Sequence, residues 1–204
     1  MNIAMIAKKG GVGKTTCSLL TAEALRQAGY RVAVHDFDEQ GTTSKSLRFS
    51  GGELVKRGQE YHYVVYDTPP SLEDVRTNAA VRYAAVVIVV TSQSMVDLWE
   101  VPEAVAFARR VNPAAVVKVL VNQFKAGTIL ARNVVGTAQK LGVELLNARI
   151  PSREAYAHFV GGGGWEVLDK PAQSAAVMLA LEVSGLTSSP SVAQVDDEQL
   201  SNAE

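Results

Sequence analysis

Residues Lys8 to Thr16 read KKGGVGKTT, a glycine-rich segment that ends in one lysine and two hydroxyls. Glycines at Gly10, Gly11 and Gly13 let a backbone curl until its N–H groups face inward, where they can hold phosphate oxygens. In such a loop, Gly10 through Thr16, with Val12 among them, contributes the nucleotide-binding backbone. Lys14 reaches the β- and γ-phosphates, the Thr15 hydroxyl ligates Mg²⁺, and Thr16 faces the α-phosphate. The chemistry is phosphoryl transfer, with Lys14 as a catalytic charge.

Two further segments carry acids at the ends of apolar runs. HDFDEQG follows one run and places Asp36 and Asp38 at its end; YDTPP follows another and places Asp67 there. Phosphoryl transfer needs a metal holder and a group that orients the attacking water. Asp67 suits the first role, and Asp36 supports the same Mg²⁺ shell, so the metal set is Thr15, Asp36 and Asp67. Asp38 suits the second, catalytic role.

These residues converge only if the chain between them builds a parallel sheet, whose ligands bind at the carboxyl ends of the strands. Strands are expected at Asn2–Ala7, Arg31–Phe37, Tyr61–Asp67, Ala84–Val90, Val116–Val121 and Val143–Ile150. Helices are expected at Thr15–Ala28, Leu72–Val81, Pro102–Val111, Ile129–Leu141, Ser152–Val160 and Ala172–Val183. Thr42 to Gln59 is polar and glycine-punctuated and predicts only a short helix or a loop, and Gly161 to Gly164 predicts a loop. Ala84–Val90 is apolar throughout, as a strand covered on both faces requires. The alternation predicts an α/β fold of the P-loop NTPase kind, a doubly wound, mostly parallel sheet flanked by helices. Residues 1–183 form the ATPase domain of that expectation, and 184–204 a flexible acidic tail.

The segment K-G-G-V-G-K-T-T resembles the deviant Walker A signature, K-G-G-x-G-K-[ST]. Together with D-F-D-E-Q-G and Y-D-T-P-P it is similar to the ParA family of chromosome- and plasmid-partition ATPases, from Met1 to about Val183. A-R-I-P-S-R-E-A-Y, Ala148 to Tyr156, is similar to that family's last strand and following helix. Glu39 stands where the family pattern D-x-D-P-Q has proline. No helix-turn-helix domain precedes the loop, as in the short members. The resemblance implies ATP and Mg²⁺ as ligands and a homodimer that forms with ATP. It makes Lys9 a catalytic and nucleotide-binding residue that crosses the dimer interface to the partner's nucleotide. It places Asn122 and Pro151 near the adenine. It also implies non-specific binding to double-stranded DNA, a cytoplasmic and nucleoid-associated location, and a cargo-bound centromere-binding or adaptor protein that stimulates hydrolysis.

Charge and composition bound the alternatives. The 204 residues are 47% apolar and 20% charged, with a net charge of −1, enough apolar content to build a core. Val101 to Arg153 holds eight bases against Glu103 and Glu144, while Asp196, Asp197, Glu198 and Glu204 close the chain. Lys118, Lys125, Arg132, Lys140, Arg149 and Arg153 are the expected DNA contacts, made to phosphates because no recognition helix suggests base reading. The lone Cys17 excludes a disulfide framework and a self-contained cluster site of the nitrogenase iron-protein type. No apolar run reaches the ~20 residues of a membrane span, and the acidic end argues against a MinD-type basic membrane helix, so no membrane partner is expected. Two alternatives share the loop: a ParA-like positioner of a protein organelle or chemotaxis cluster, and an ATP-dependent ligase of the dethiobiotin-synthetase type.

Overall fold

In the computed structural model, which describes residues 1–187 and 193–194, the Val- and Ile-rich runs become parallel strands. These are β1 (Asn2–Ile6), β2 (Val32–Asp36), β4 (Tyr63–Asp67), β5 (Val86–Ser92), β6 (Val116–Phe124) and β7 (Leu145–Pro151), in the order β2-β4-β1-β5-β6-β7. A two-residue β3 (Glu60–Tyr61) leads into β4 and pairs antiparallel with β8 (Ala193–Gln194). All seven residues of β5 are buried, as its unbroken apolar sequence requires.

The helices are α1 (Lys14–Gln27), α2 (Thr42–Ser50), α3 (Val75–Tyr83), α4 (Met95–Leu98), α5 (Val101–Val111), α6 (Ile129–Lys140), α7 (Ala155–His158) and α8 (Lys170–Ser184). Each strand presents alternate residues to two cores. Ile3, Met5, Val65 and Ile88 face one core, with Leu20 and Leu25 of α1 and Leu179 of α8. Ala4, Ile6, Val64, Tyr66 and Val87 face the other, with Ala80 of α3 and Phe107 of α5. The sheet thus has helices on both sides, and the strand ends stay open for a ligand.

Thr42–Ser50 takes the short-helix alternative, with Thr43, Ser46 and Leu47 buried. Three segments differ from what the sequence predicts. Met95–Leu98 forms a short helix that no periodicity marks. β6 runs to Phe124, past Val121, with an irregular register between Val121 and Phe124. The expected helix from Ser152 is only α7, followed by a wide helical turn at Phe159–Gly163 that takes in most of the expected glycine loop. Gly162 is needed there: its φ is 98°, and a Cβ would lie 2.4 Å from the Phe49 Cβ. Of the expected tail, residues 188–192 and 195–204 lie outside the described residues.

His35 on β2 is buried, stacked on Phe37 at 4.1 Å, and its Nδ1 has no hydrogen-bond partner. Burial lowers its pKa to about 4, from 6.5. The native state therefore holds His35 neutral, while the unfolded chain protonates it below pH 6.5. Its contribution is complete above pH 6.5 and is lost as pH falls toward 4, a loss of about 3 kcal/mol. Urea unfolding at several pH values is expected to show a shallower loss over that window in His35→Leu than in the wild type.

Candidate nucleotide site

The loop between β1 and α1 is shaped by Gly11 and Gly13, at φ 82° and 85°. Gly13 is the N-cap of α1 and carries no side chain to occupy the helix's first N–H groups; the first turn holds no acid. Helices α3, α6 and α8 begin differently. Their first turns are capped by Asp74, Thr128 and Asp169, which accept from the backbone N–H groups of Arg76, Ala131 and Ala172. The positive end of α1 is left for an anion.

Lys14 opens the same helix and is only 7% exposed, with no ion-pair partner among the described residues. Burial lowers its pKa, against the pull of the Asp67 and Asp38 carboxylates. A buried ammonium without a bonded counter-ion is a costly arrangement that a triphosphate corrects.

Asp67, 1% exposed, gathers three hydroxyls. Its Oδ2 accepts from Thr15 at 2.7 Å and Thr43 at 2.5 Å, and its Oδ1 accepts from Ser18 at 3.0 Å. Burial pushes the carboxyl upward and the three hydroxyls oppose it. A buried carboxylate beside a threonine hydroxyl at the mouth of a phosphate loop is a hard oxygen donor set of the kind Mg²⁺ takes together with phosphate oxygens. Thr15 and Asp67 fit that ion. Asp36 lies level with Asp67 on the neighbouring strand, but its oxygens serve the chain. Oδ2 accepts from the Ser44 N–H and hydroxyl, both at 2.8 Å, and Oδ1 from the Asp38 N–H at 3.2 Å. These contacts organise the start of α2.

Asp38 begins a turn closed by the Gly41 N–H on the Asp38 carbonyl at 2.9 Å, and its side chain accepts from the Gln40 N–H. Lys9 pairs within its own chain with Asp97 at 2.6 Å, and Asp97 also accepts from Ser92 at 2.5 Å. Lys8 pairs with Glu100 and Glu103, both at 2.6 Å. The Asn122 amide donates to the Val12 carbonyl at 2.7 Å, and Gln123 donates to the Gly11 carbonyl at 2.9 Å. The end of β6 thus braces the phosphate loop through both side chains. Gln123, at φ 52°, holds a left-handed backbone, a local strain that the brace maintains. Pro151 ends β7, level with Phe124 of β6.

Ser18, Thr43, Asp97 and Gln123 join the site without a motif to announce them. Ser18 carries a usable signal, since it lies three residues beyond Thr15 on one helix face. Nothing local marks the other three, because each comes to the site from a different part of the chain.

The basic residues do not share one surface. Lys118, near the start of β6, contacts Glu144, to which Arg109 also comes within 3.8 Å. Lys140 is at the far end of α6, on the same, amino-terminal side of the sheet. Arg149 donates to the carbonyls of Leu146 and Ala148. Arg153 holds Asp169 at 2.8 Å. Lys125 and Arg132 lie at the carboxyl end and, like Lys140, carry no ion pair among the described residues.

A six-stranded parallel sheet with this loop and these two acidic strand ends is a P-loop nucleotide-binding domain. Residues 3–163 match the CobQ/CobB/MinD/ParA nucleotide binding domain, and the chain belongs to that family as a ParA/MinD-type ATPase. It is 28% identical over 182 residues to the Maintenance of carboxysome distribution protein A of Halothiobacillus neapolitanus, covering 79% of this chain and 84% of that one. Its fold matches MinD in the MinC:MinD cell division complex of Aquifex aeolicus, with a TM-score of 0.73 at 19% identity over 92% and 97% of the two chains. It also matches a protein assigned to plasmid partition from Borrelia burgdorferi B31 bound to AMPPNP, with a TM-score of 0.72 at 17% identity over 90% and 98%. Among the described residues, no helix is long and apolar enough to cross a membrane.

Proposed function

We propose that this ATPase binds Mg-ATP, dimerises around it, and uses hydrolysis to partition or position a cargo on double-stranded DNA, with a cargo-bound partner protein stimulating turnover. The observation that carries the nucleotide part is the buried Lys14 cation, without an ion pair among the described residues, at the uncapped end of α1. Thr15 and Asp67 would hold the metal, which would supply positive charge against the phosphate oxygens. Lys14 neutralises the same oxygens, and Asp38 orients the attacking water. Calorimetric titration with ATP, with and without Mg²⁺, tests this. Tight binding that needs Mg²⁺ supports it, and no binding refutes it.

Dimerisation rests on Lys9. Two triphosphates at one interface repel, and a lysine from each side offsets that charge. In the single chain Lys9 is held by Asp97, so reaching a partner's nucleotide means leaving that carboxylate. Lys9→Ala is expected to bind ATP and remain monomeric. Asp97→Asn is expected to raise the dimer fraction several-fold at sub-saturating ATP, as read by light scattering. A Lys9→Ala chain that dimerises normally would reduce Lys9 to a surface charge.

DNA binding rests on the unpaired bases. Lys125 and Arg132 at the carboxyl end are the first candidates, and dimerisation doubles their number. Lys125→Glu and Arg132→Glu are expected to weaken binding to all sequences alike in ATP. The wild type is expected to show a log–log salt slope of roughly −0.9 per phosphate neutralised. Gel shifts in ATP, in ADP and without nucleotide check this, and equal affinity in the three states would refute the switch.

A second reading, in which the cargo is a protein compartment, is favoured by the relative from Halothiobacillus neapolitanus, which this chain matches over most of its length. Pull-down of the partner from the native host separates the two. A centromere-binding protein marks a DNA cargo, and a shell-associated adaptor marks a compartment.

A further inference from the structure

Asp38 to Gly41 form a tight turn closed by the Asp38 carbonyl and the Gly41 N–H at 2.9 Å. Neither Glu39 nor Gln40 has a positive φ, which makes it a type I turn with Glu39 at its second position. Proline is favoured there because its ring fixes φ near −65°. Glu39 leaves φ free. Its backbone N–H makes no hydrogen bond among those described, so the turn is not held at this point through the main chain.

The side chain reaches elsewhere. Glu39 Oε1 accepts from Arg76 Nη1 at 2.9 Å, across 37 residues. Arg76 lies in the first turn of α3 and is already fixed by Asp74, with Nε and Nη2 donating to its two carboxylate oxygens at 2.9 and 2.7 Å. A guanidinium locked by one carboxylate presents its remaining N–H in a set direction, so little further freedom is lost when Glu39 binds it. The Arg76 side chain is 18% exposed and that of Glu39 83% exposed. The pair does not hold the fold together; it biases a loop.

We propose that the Glu39–Arg76 ion pair positions the Asp38 turn and couples it to the start of α3, taking the part that a proline ring would play in the backbone. Both are positioning residues. The pair links the two loops that leave the acidic strand ends, the one carrying Asp38 and the one running from Asp67 through Pro70 into α3. An exposed pair of this kind shifts a loop population by about two- to five-fold, and the same factor is expected in turnover. The consequence for turnover rests on the role of Asp38 in hydrolysis given above; the tether itself does not.

The test compares wild type, Glu39→Gln, Arg76→Gln, the double variant and Glu39→Pro in the full chain. At about 50 mM salt, where the pair is little screened, kcat is expected to fall about three-fold in Glu39→Gln, with ATP affinity within about two-fold of wild type and Tm unchanged. The double variant is expected to match Arg76→Gln in kcat, because the second change removes an interaction already lost. The ratio of wild-type to Glu39→Gln turnover is expected to approach unity at about 500 mM salt, where the ion pair is screened. Glu39→Pro is expected to restore turnover at both salts. Amide exchange at Gln40 and Gly41 is expected to speed up several-fold in Glu39→Gln and to return to the wild-type rate in Glu39→Pro. Unchanged exchange in Glu39→Gln, or fully additive losses in the double variant, would overturn the tether. A wild-type chain that bound ATP without hydrolysing it would overturn the catalytic reading instead, and the exchange rates would still decide the tether.

Discussion

Lys14→Met is expected to lose ATP affinity by at least about 100-fold while the nucleotide-free protein melts at a higher temperature. The two effects have one cause. The Lys14 ammonium is 7% exposed, lacks an ion-pair partner among the described residues, and has its pKa lowered by burial. Replacing an unpaired buried charge with an apolar chain of similar length removes a desolvation cost on the order of 1 kcal/mol or more. In the complex the same ammonium meets the β- and γ-phosphates, and charge-assisted contacts of that kind are worth about 3 kcal/mol together. Calorimetry with ATP and a melt without nucleotide read the two halves separately. A lower melting temperature for Lys14→Met would mean that the lysine is satisfied in the free protein, and its claim to be waiting for a phosphate would be lost.

Gly13→Ala is expected to destabilise the fold by about 2–4 kcal/mol and to weaken ATP binding more than about ten-fold. Two obstacles coincide at this position. The backbone is at φ 85°, where an L side chain is strained, and the new Cβ would lie 2.1 Å from Asn122 Nδ2. Relief requires the Asn122 amide to swing away, which breaks its bond to the Val12 carbonyl and leaves a buried acceptor without a partner. Adding Asn122→Ala to Gly13→Ala is expected to recover part of the stability, since the clash goes and the φ strain stays. Urea unfolding of the two single variants and the double resolves these contributions. A Gly13→Ala chain as stable as wild type would show that the loop and the end of β6 are not in contact.

Residues whose chemistry depends on their immediate neighbours are legible in the sequence. Gly10, Gly11, Gly13, Lys14 and Thr15 are consecutive or nearly so, and a loop of that length has few ways to arrange its N–H groups. Asp67 is legible because it ends an apolar run, and Asp38 because it sits in a strand-ending turn. Asp36 is equally legible as an acid at a strand end. What local sequence does not show is that the start of α2 folds back over it and donates to its carboxylate.

The basic stretch shows the same limit from another side. Eight bases between Val101 and Arg153 look like one patch only while the chain is read as a line. In a parallel sheet each strand and its return helix run in opposite directions, so the bases fall in groups at the two ends of the molecule. Some then meet carboxylates: Lys118 finds Glu144, and Arg153 finds Asp169.

Periodicity, glycine content and strand termination act over a few residues. The sheet, the phosphate loop and the acids at two strand ends therefore follow from local sequence. The neighbours that surround them do not. Thr43 comes to Asp67, Asn122 and Gln123 to the loop, Asp97 to Lys9, and Arg76 to Glu39. These partners lie 24 to 112 residues apart in the chain. Their meeting depends on strand order and register, which arise from packing two cores at once and leave no mark in any single stretch of sequence.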